Sequence, residues 1–477
     1  MEHNQEYRIR TKHERILADT TTPVAIYLRI RDIFPNSLLL ESSEYHSRDN
    51  SVSYICCEPV AGIRLDQEQL SIHYPGSTQK HTKPADAINL RQEVATFRQA
   101  FKEDASLDKK LRVRPNGLFG YFTFNCVQHF EDIQLTAAAV PDREIPMMQY
   151  HLYRFVIAID HFHNELHIFE HQFEDGQVSE MDRIRYLIQN KNIPEYAFSR
   201  EGEEQSAMDD ADFISLVEKM KTHIARGDVF QIVPSRGFSQ RFSGDEFNVY
   251  RALRSINPSP YLFYFDYGNF RIFGSSPEAQ ITIQNKEASI YPIAGTFKRT
   301  GDFEEDQQLA RALQADPKES AEHVMLVDLA RNDLSRHCAN VEVKSYKEAQ
   351  YYSHVIHLVS RVAGTLKNES AAFDVVADSF PAGTLSGAPK HKAIQLIDAY
   401  EGKSRGFYSG AIGYMSFDTD FNHAIMIRSF LSKKNTLHYQ AGAGIVADSE
   451  PQKELQEVVN KIAALRKALI LAESLSK

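Results

Sequence analysis

Two pairs of glutamates stand three residues apart in stretches with helical periodicity, Glu319 with Glu322 and Glu454 with Glu457. Residues at i and i+3 share a helix face, and like charges there destabilise the helix modestly. Both pairs fall in the first turn or two of their segments, where the helix dipole favours carboxylates. Should two such faces meet, four carboxylates without a cation would repel, and Mg²⁺ with retained waters would suit them. Spacing alone does not single the pairs out. With acidic residues at 64 of 477 positions, about eight such pairs arise by chance, and Glu201 with Glu204 is one with no evident role.

Three small-residue loops accompany them: PIAGT at 292–296, PAGTLSGAP at 381–389 and AGAG at 441–444. Backbone N–H groups in such loops can bind a carboxylate or phosphate, above all where a loop opens into a helix N-terminus, as the second does. Ordinary turns would look the same. No loop reads G-x-G-x-x-G or G-x-x-x-x-G-K-[ST], which disfavours nucleotide binding. His357 lies in an apolar segment, VIHLV, where a lone histidine is more often a satisfied buried side chain than a catalyst. Arg428 sits in a segment, IMIRS, that reads as part of an apolar strand. A guanidinium there needs a carboxylate, and a bidentate substrate carboxylate would serve.

The elements that must hold these groups follow from periodicity. An acidic stretch at 199–212 reads as a solvated linker between a first part of about two hundred residues (1–205) and a second of about two hundred and seventy (206–477). In the first part, 153–161 and 165–173 form a hairpin about His163-Asn164. In the second, a helix over 212–226 precedes short strands at 229–233, 261–266, 270–273, 279–283 and 288–293. Helices at 306–314, 318–332, 373–379 and 389–400 come next. Strands at 410–417, 424–431 and 436–442 lead to a C-terminal helix from about 451. Tight turns between neighbouring strands imply antiparallel pairing, so the class is α+β.

Composition bounds the function. A net charge of −10 provides no field to gather nucleic acid or anionic lipid. The four cysteines (Cys56, Cys57, Cys126, Cys338) lack any C-x-x-C spacing, and the polar start of the chain lacks a signal-peptide core, so a cytoplasmic protein is expected, with no membrane span. The chain contains no Trp.

Three ordered motifs carry a resemblance: DLARNDL at 328–334 preceded by Glu322-His323, GTLSGAPK at 383–390, and AGAGIV at 441–446. Together they resemble the chorismate-binding enzyme family, whose members convert chorismate to anthranilate, aminodeoxychorismate, isochorismate or salicylate. The resemblance implies large antiparallel sheets forming a sandwich-like core with helices outside. It further implies that Glu322 and Glu457 bind Mg²⁺, backed by Glu319 and Glu454. Gly295, Thr296, Tyr408, Arg428, Gly442, Ala443 and Gly444 would hold chorismate. Glu278, His357 and Thr384 would serve catalysis, Glu278 as general acid for the departing hydroxyl and His357 in the elimination.

Two positions differ in chemistry across that family. Members that add water carry a lysine base where this chain has Gln231, and a glutamine cannot take a proton from water. Aminodeoxychorismate formers carry a lysine nucleophile where this chain has Ala294. The pair therefore resembles the anthranilate-forming branch, in which ammonia attacks directly. None of the cysteines sits in a glutaminase elbow, so a separate glutamine amidotransferase subunit is implied, in a heterotetramer of two of each. The segment SLLLES at 37–42 with NPSPYL at 257–262 resembles the family's tryptophan-binding element, implying that Ser42, Pro260, Tyr261 and Leu262 hold tryptophan as a feedback inhibitor. An enzyme that starts tryptophan synthesis is needed most when tryptophan is scarce, and a chain without that residue can be translated then.

Overall fold

The structure, a computed structural model, describes residues 6–42, 51–77, 79–104, 107, 111–190, 192–351, 355–368 and 372–475, and of Ser42, Thr296 and Lys318 it describes the backbone. Two antiparallel sheets share two long strands, Val52–Leu65 and Met148–Asp160. On one side these pair with Leu38–Ser42 and Glu165–Gln172, and that sheet continues through Tyr261–Asp266, Phe270–Ser276, Ser429–Lys433, Thr436–Gly442, Ser235–Gly244 and Phe198–Ser206. On the other side they lead through Gly117–Phe122, Ala411–Ser416, Phe421–Ile425, Ala279–Gln284 and Glu287–Ile290 to Val355–Leu366. Val355–Leu366 is flanked by Cys338–Tyr351 and Ile293–Lys298. The shared strands change sheet at a bulge between Pro59 and Ala61, beside Glu58 at φ 62°. Such bulges are how strands turn the corners of a sandwich.

Period-two alternation builds the layers. Leu38, Leu40, Phe263, Phe265, Phe119, Tyr121, Ile412 and Tyr414 meet in a core between the sheets. Their neighbours point outward: Leu39, Leu262 and Tyr264 pack under the helices Phe247–Ile256 and Pro451–Ala472. Leu118, Phe122, Ala411 and Met415 pack under Leu90–Gln99, Pro317–Ser335 and Ala372–Ser379. The result is the expected α+β sandwich with helices outside.

Three local expectations change. The acidic stretch is solvent-exposed but is no linker: Phe198–Ser206 is an edge strand on Ser235–Gly244. Some of its acids have partners distant in sequence, Glu204 with Arg466 at 2.6 Å among them. The helix after it starts at Asp210, capped by the Asp209 side chain. The strand expected over 424–431 is two strands, Phe421–Ile425 and Ser429–Lys433, and Arg428 lies at the break with φ 51°. The strand expected over 229–233 is two residues long, Gln231–Ile232, paired to Gly387–Ala388.

Candidate active site

Between the strand Ile293–Lys298, the helix Pro317–Ser335 and the C-terminal helix lies a cavity of about 560 Å³. Its wall includes Gln231, Glu278, Ala294, Gly295, His357, Thr384, Tyr408, Arg428, Gly442 and Gly444, and all four paired glutamates. The first pair comes from the helix Pro317–Ser335, whose start is held by the Asp316 carboxylate accepting from the Glu319 N–H at 3.0 Å. The second comes from Pro451–Ala472, whose packed face runs from Glu454 through Val458, Ile462 and Leu465. Two helices packed on different sheets thus bring their acidic faces to one space.

Two motif residues outside the cavity, Lys390 and Asp333, pair with each other. Lys390 donates to Asp333 at 3.0 Å and to the Ser379 carbonyl at 2.9 Å, pinning the 383–389 loop to the glutamate-bearing helix. Burial raises the Asp333 carboxyl despite Lys390 beside it.

Two glycines are fixed by close approach. Gly295 has φ +74°, and a Cβ there would meet Leu313 at 2.9 Å and Glu319 at 3.1 Å. A Cβ on Gly444 would press on Gln231 Nε2 at 2.9 Å. That amide, 2% exposed, donates to Glu322 Oε1 at 3.1 Å.

The titratable groups are set apart by their surroundings. Burial pushes the Glu278 carboxyl up to about 7, although Thr384 Oγ1 donates to it at 2.8 Å and Lys461 acts in the same lowering direction. A carboxylic acid poised near neutrality is suited to giving up a proton. Burial lowers His357, and Arg428 and Lys461 lower it further. Its Nδ1 lies 2.9 Å from the Gly295 carbonyl, which can only accept, so Nδ1 carries the hydrogen and Nε2 is the basic nitrogen. Burial lowers Arg428 against the raising influence of Tyr408 and Glu457. Burial pushes Tyr408 up to about 12.

The family described as chorismate binding enzyme matches residues 39–467. This chain belongs to the chorismate-binding enzyme family. Among its relatives, anthranilate synthase component 1 of Aquifex aeolicus is 35% identical over 98% of this chain and 96% of its own length. That of Lactococcus lactis is 36% identical over 96% and 99%. The solved anthranilate synthase component I from Streptococcus pneumoniae superposes with a TM-score of 0.75 at 31% identity, covering 95% of this chain and 99% of that one. The menaquinone-specific isochorismate synthase from Escherichia coli shares the fold, with a TM-score of 0.73 at 20% identity.

This chorismate-binding enzyme presents a donor set that fits Mg²⁺. Among the described residues no three His, Cys, Asp or Glu side chains converge as a preformed metal cage. Mg²⁺ typically takes one or two carboxylates and leaves its other positions to water and substrate. Glu322 with Glu457 would hold it, with Glu319 and Glu454 alongside.

Thr296 is placed by its backbone, paired with His357, and Ala443, within the AGAG segment that follows from the strand Thr436–Gly442, is fully buried. The backbone of Ser42 pairs with Tyr261, and that of Glu41 with Leu262. Tyr261 lines a second cavity of about 470 Å³ with Leu40, Tyr54 and Tyr414, whereas Leu262 points to the other side of the sheet. Pro260 leads into the strand. Lys461 was missed by sequence reasoning: it lines the active cavity, donates to the Gly442 carbonyl at 2.9 Å and pairs with Glu457 at 2.7 Å. Its i,i+4 spacing from Glu457 was the available signal. No helix among the described residues is long and apolar enough to cross a membrane.

Proposed function

We propose that this chorismate-binding enzyme is the aminase component of an anthranilate synthase, converting chorismate and ammonia to anthranilate, pyruvate and water in the tryptophan pathway. The observation that carries the reading is the pair Gln231 and Ala294 on the cavity wall. Gln231 cannot deprotonate water, and its amide is already committed to Glu322. Ala294, 6% exposed, offers no nucleophile. The attacking group must therefore come from outside as ammonia. The identity of about 35% to anthranilate synthase component 1 along nearly the whole chain supports the same choice.

The chain's residues divide the work. Arg428 grips the enolpyruvyl carboxylate, while Tyr408 and the backbone of Gly295, Thr296, Gly442, Ala443 and Gly444 orient the ring. When bound, Mg²⁺ supplies positive charge to the ring carboxylate. Glu278, held protonated by burial and aimed by Thr384, gives its proton to the C4 hydroxyl as ammonia bonds to C2 and water departs. In the second step the C2 proton is removed, His357 Nε2 being the base, and pyruvate leaves as the ring becomes aromatic.

The region 1–205 would then be regulatory and partner-facing, and 206–477 the catalytic core. A glutamine amidotransferase subunit would deliver ammonia, in a complex of two copies of each chain. Tryptophan would occupy the second cavity beside Ser42 and Tyr261 and oppose catalysis by linkage between two sites. The setting would be the cytoplasm.

The test is incubation of the purified chain with chorismate, Mg²⁺ and ammonium, following anthranilate fluorescence. A folded chain that gives no signal overturns the proposal. A product that fluoresces only after a lyase is added identifies an aminodeoxychorismate synthase instead.

A further inference from the structure

Arg405 is 2% exposed and lies behind the wall of the active cavity. A guanidinium has five N–H donors in a rigid fork, and here each of them has an acceptor. Nε and Nη2 donate to the two oxygens of Glu401 at 3.0 and 2.6 Å. Nη2 also donates to the Val233 carbonyl at 2.6 Å, and Nη1 to the Leu385 carbonyl at 2.8 Å and to Ser409 Oγ at 3.4 Å. Glu401 in turn accepts from the Ser235 N–H and hydroxyl, both at 2.8 Å.

Three of the acceptors adjoin a group at the site. Val233 is two residues from Gln231, Leu385 follows Thr384, and Ser409, at φ 65°, follows Tyr408. The segments 231–235, 383–387 and 408–409 meet here through the two-residue pairing of Gln231–Ile232 with Gly387–Ala388 and the Val233 N–H donating to the Ser386 carbonyl at 3.1 Å. One buried ion pair thus ties together three chain segments behind the cavity wall.

Resting on the proposed function above, we propose that Arg405, through Glu401 and the Leu385 carbonyl, is a positioning residue that sets Thr384 against Glu278 and so aims the proton-giving carboxyl at the departing hydroxyl. Arg405 touches neither substrate nor reacting atoms. Its geometry matters because a misplacement of about 1 Å remote from the chemistry can cost about 100-fold in rate. A lysine preserves the charge but cannot span Glu401, Val233 and Leu385 at once.

The test is a double-variant cycle on the full chain with chorismate, Mg²⁺ and ammonium. R405K is expected to lower kcat by about 10- to 100-fold while the KM for chorismate changes less than about twofold, since Arg428 still holds the carboxylate. T384V should lower kcat comparably, and R405K with T384V together should be no slower than the slower single variant. A merely structural role predicts losses that multiply, or a KM that rises in step; either result, or a wild-type kcat in R405K, overturns the assignment. If R405K melts below the assay temperature, E401Q replaces it in the same cycle with the same expectations. A wild-type chain inactive with ammonium fails the proposed function itself, whereas an active one with multiplicative losses fails only this assignment.

Discussion

Replacing Glu278 by glutamine tests the poised carboxyl without presuming any activity. The side chain sits at about 7 against an ordinary 4.5, a displacement caused first by burial. At 1.36 kcal/mol per unit this amounts to about 3 kcal/mol between its two protonation states. Because the folded value is raised, the associated stability is present in full below about 4.5 and is lost as pH rises through about 7. Glu278→Gln keeps the shape and an acceptor for Thr384 but abolishes the titration. Urea unfolding should find the two proteins similar near pH 4.5, with the variant ahead by up to about 3 kcal/mol at pH 8. The same substitution should lower the rate by about 10²- to 10⁴-fold. It should also erase the decline of the wild-type rate, referred to free ammonia, above about pH 7. A stability difference independent of pH, or an alkaline limb that survives in the variant, would refute the reasoning.

Arg428→Lys keeps a cation but loses the fork, so the KM for chorismate should rise about 10- to 100-fold in steady-state assays, the worth of a charge-assisted hydrogen bond. His357→Ala should stall the second step, so that chromatography detects an amino intermediate, and unchanged anthranilate output would count against the assigned base. Chelation should abolish turnover and added Mg²⁺ restore it; Glu322→Gln and Glu457→Gln should each weaken Mg²⁺ binding at least tenfold by calorimetry, and undiminished binding would remove them as ligands. Ser42→Phe should weaken tryptophan inhibition at least tenfold, and inhibition that persists would misplace the regulatory cavity.

The sequence pattern revealed most of the site because its groups repeat at local spacings. The glutamate pairs share helix faces at i,i+3, and the small-residue loops announce themselves by composition. What it concealed depends on partners far away in the chain. Residues 199–206 are acidic and solvated, and only their pairing with Ser235–Gly244 makes them a strand. Arg428 looks like the interior of an apolar strand, yet it lies in the break between Phe421–Ile425 and Ser429–Lys433, in a left-handed turn at φ 51° that has no glycine or asparagine to signal it. For Arg405, nothing nearby in sequence except Glu401, one turn earlier, hints at the two carbonyls it holds.

The pairing of Leu38–Ser42 with Tyr261–Asp266, and of Gly117–Phe122 with Ala411–Ser416, also governs how the molecule comes into being. On the ribosome the first two hundred residues emerge as strands that can pair with one another, while the outer edges of Leu38–Ser42 and Gly117–Phe122 have no mates yet. Their bare edges wait for segments made much later, in a topology of long-range contacts that folds slowly. Exposed edges of this kind are templates for unwanted pairing. Newborn chains therefore need shelter until the last strands and the C-terminal helix arrive, and the active cavity comes into existence only at the end of synthesis.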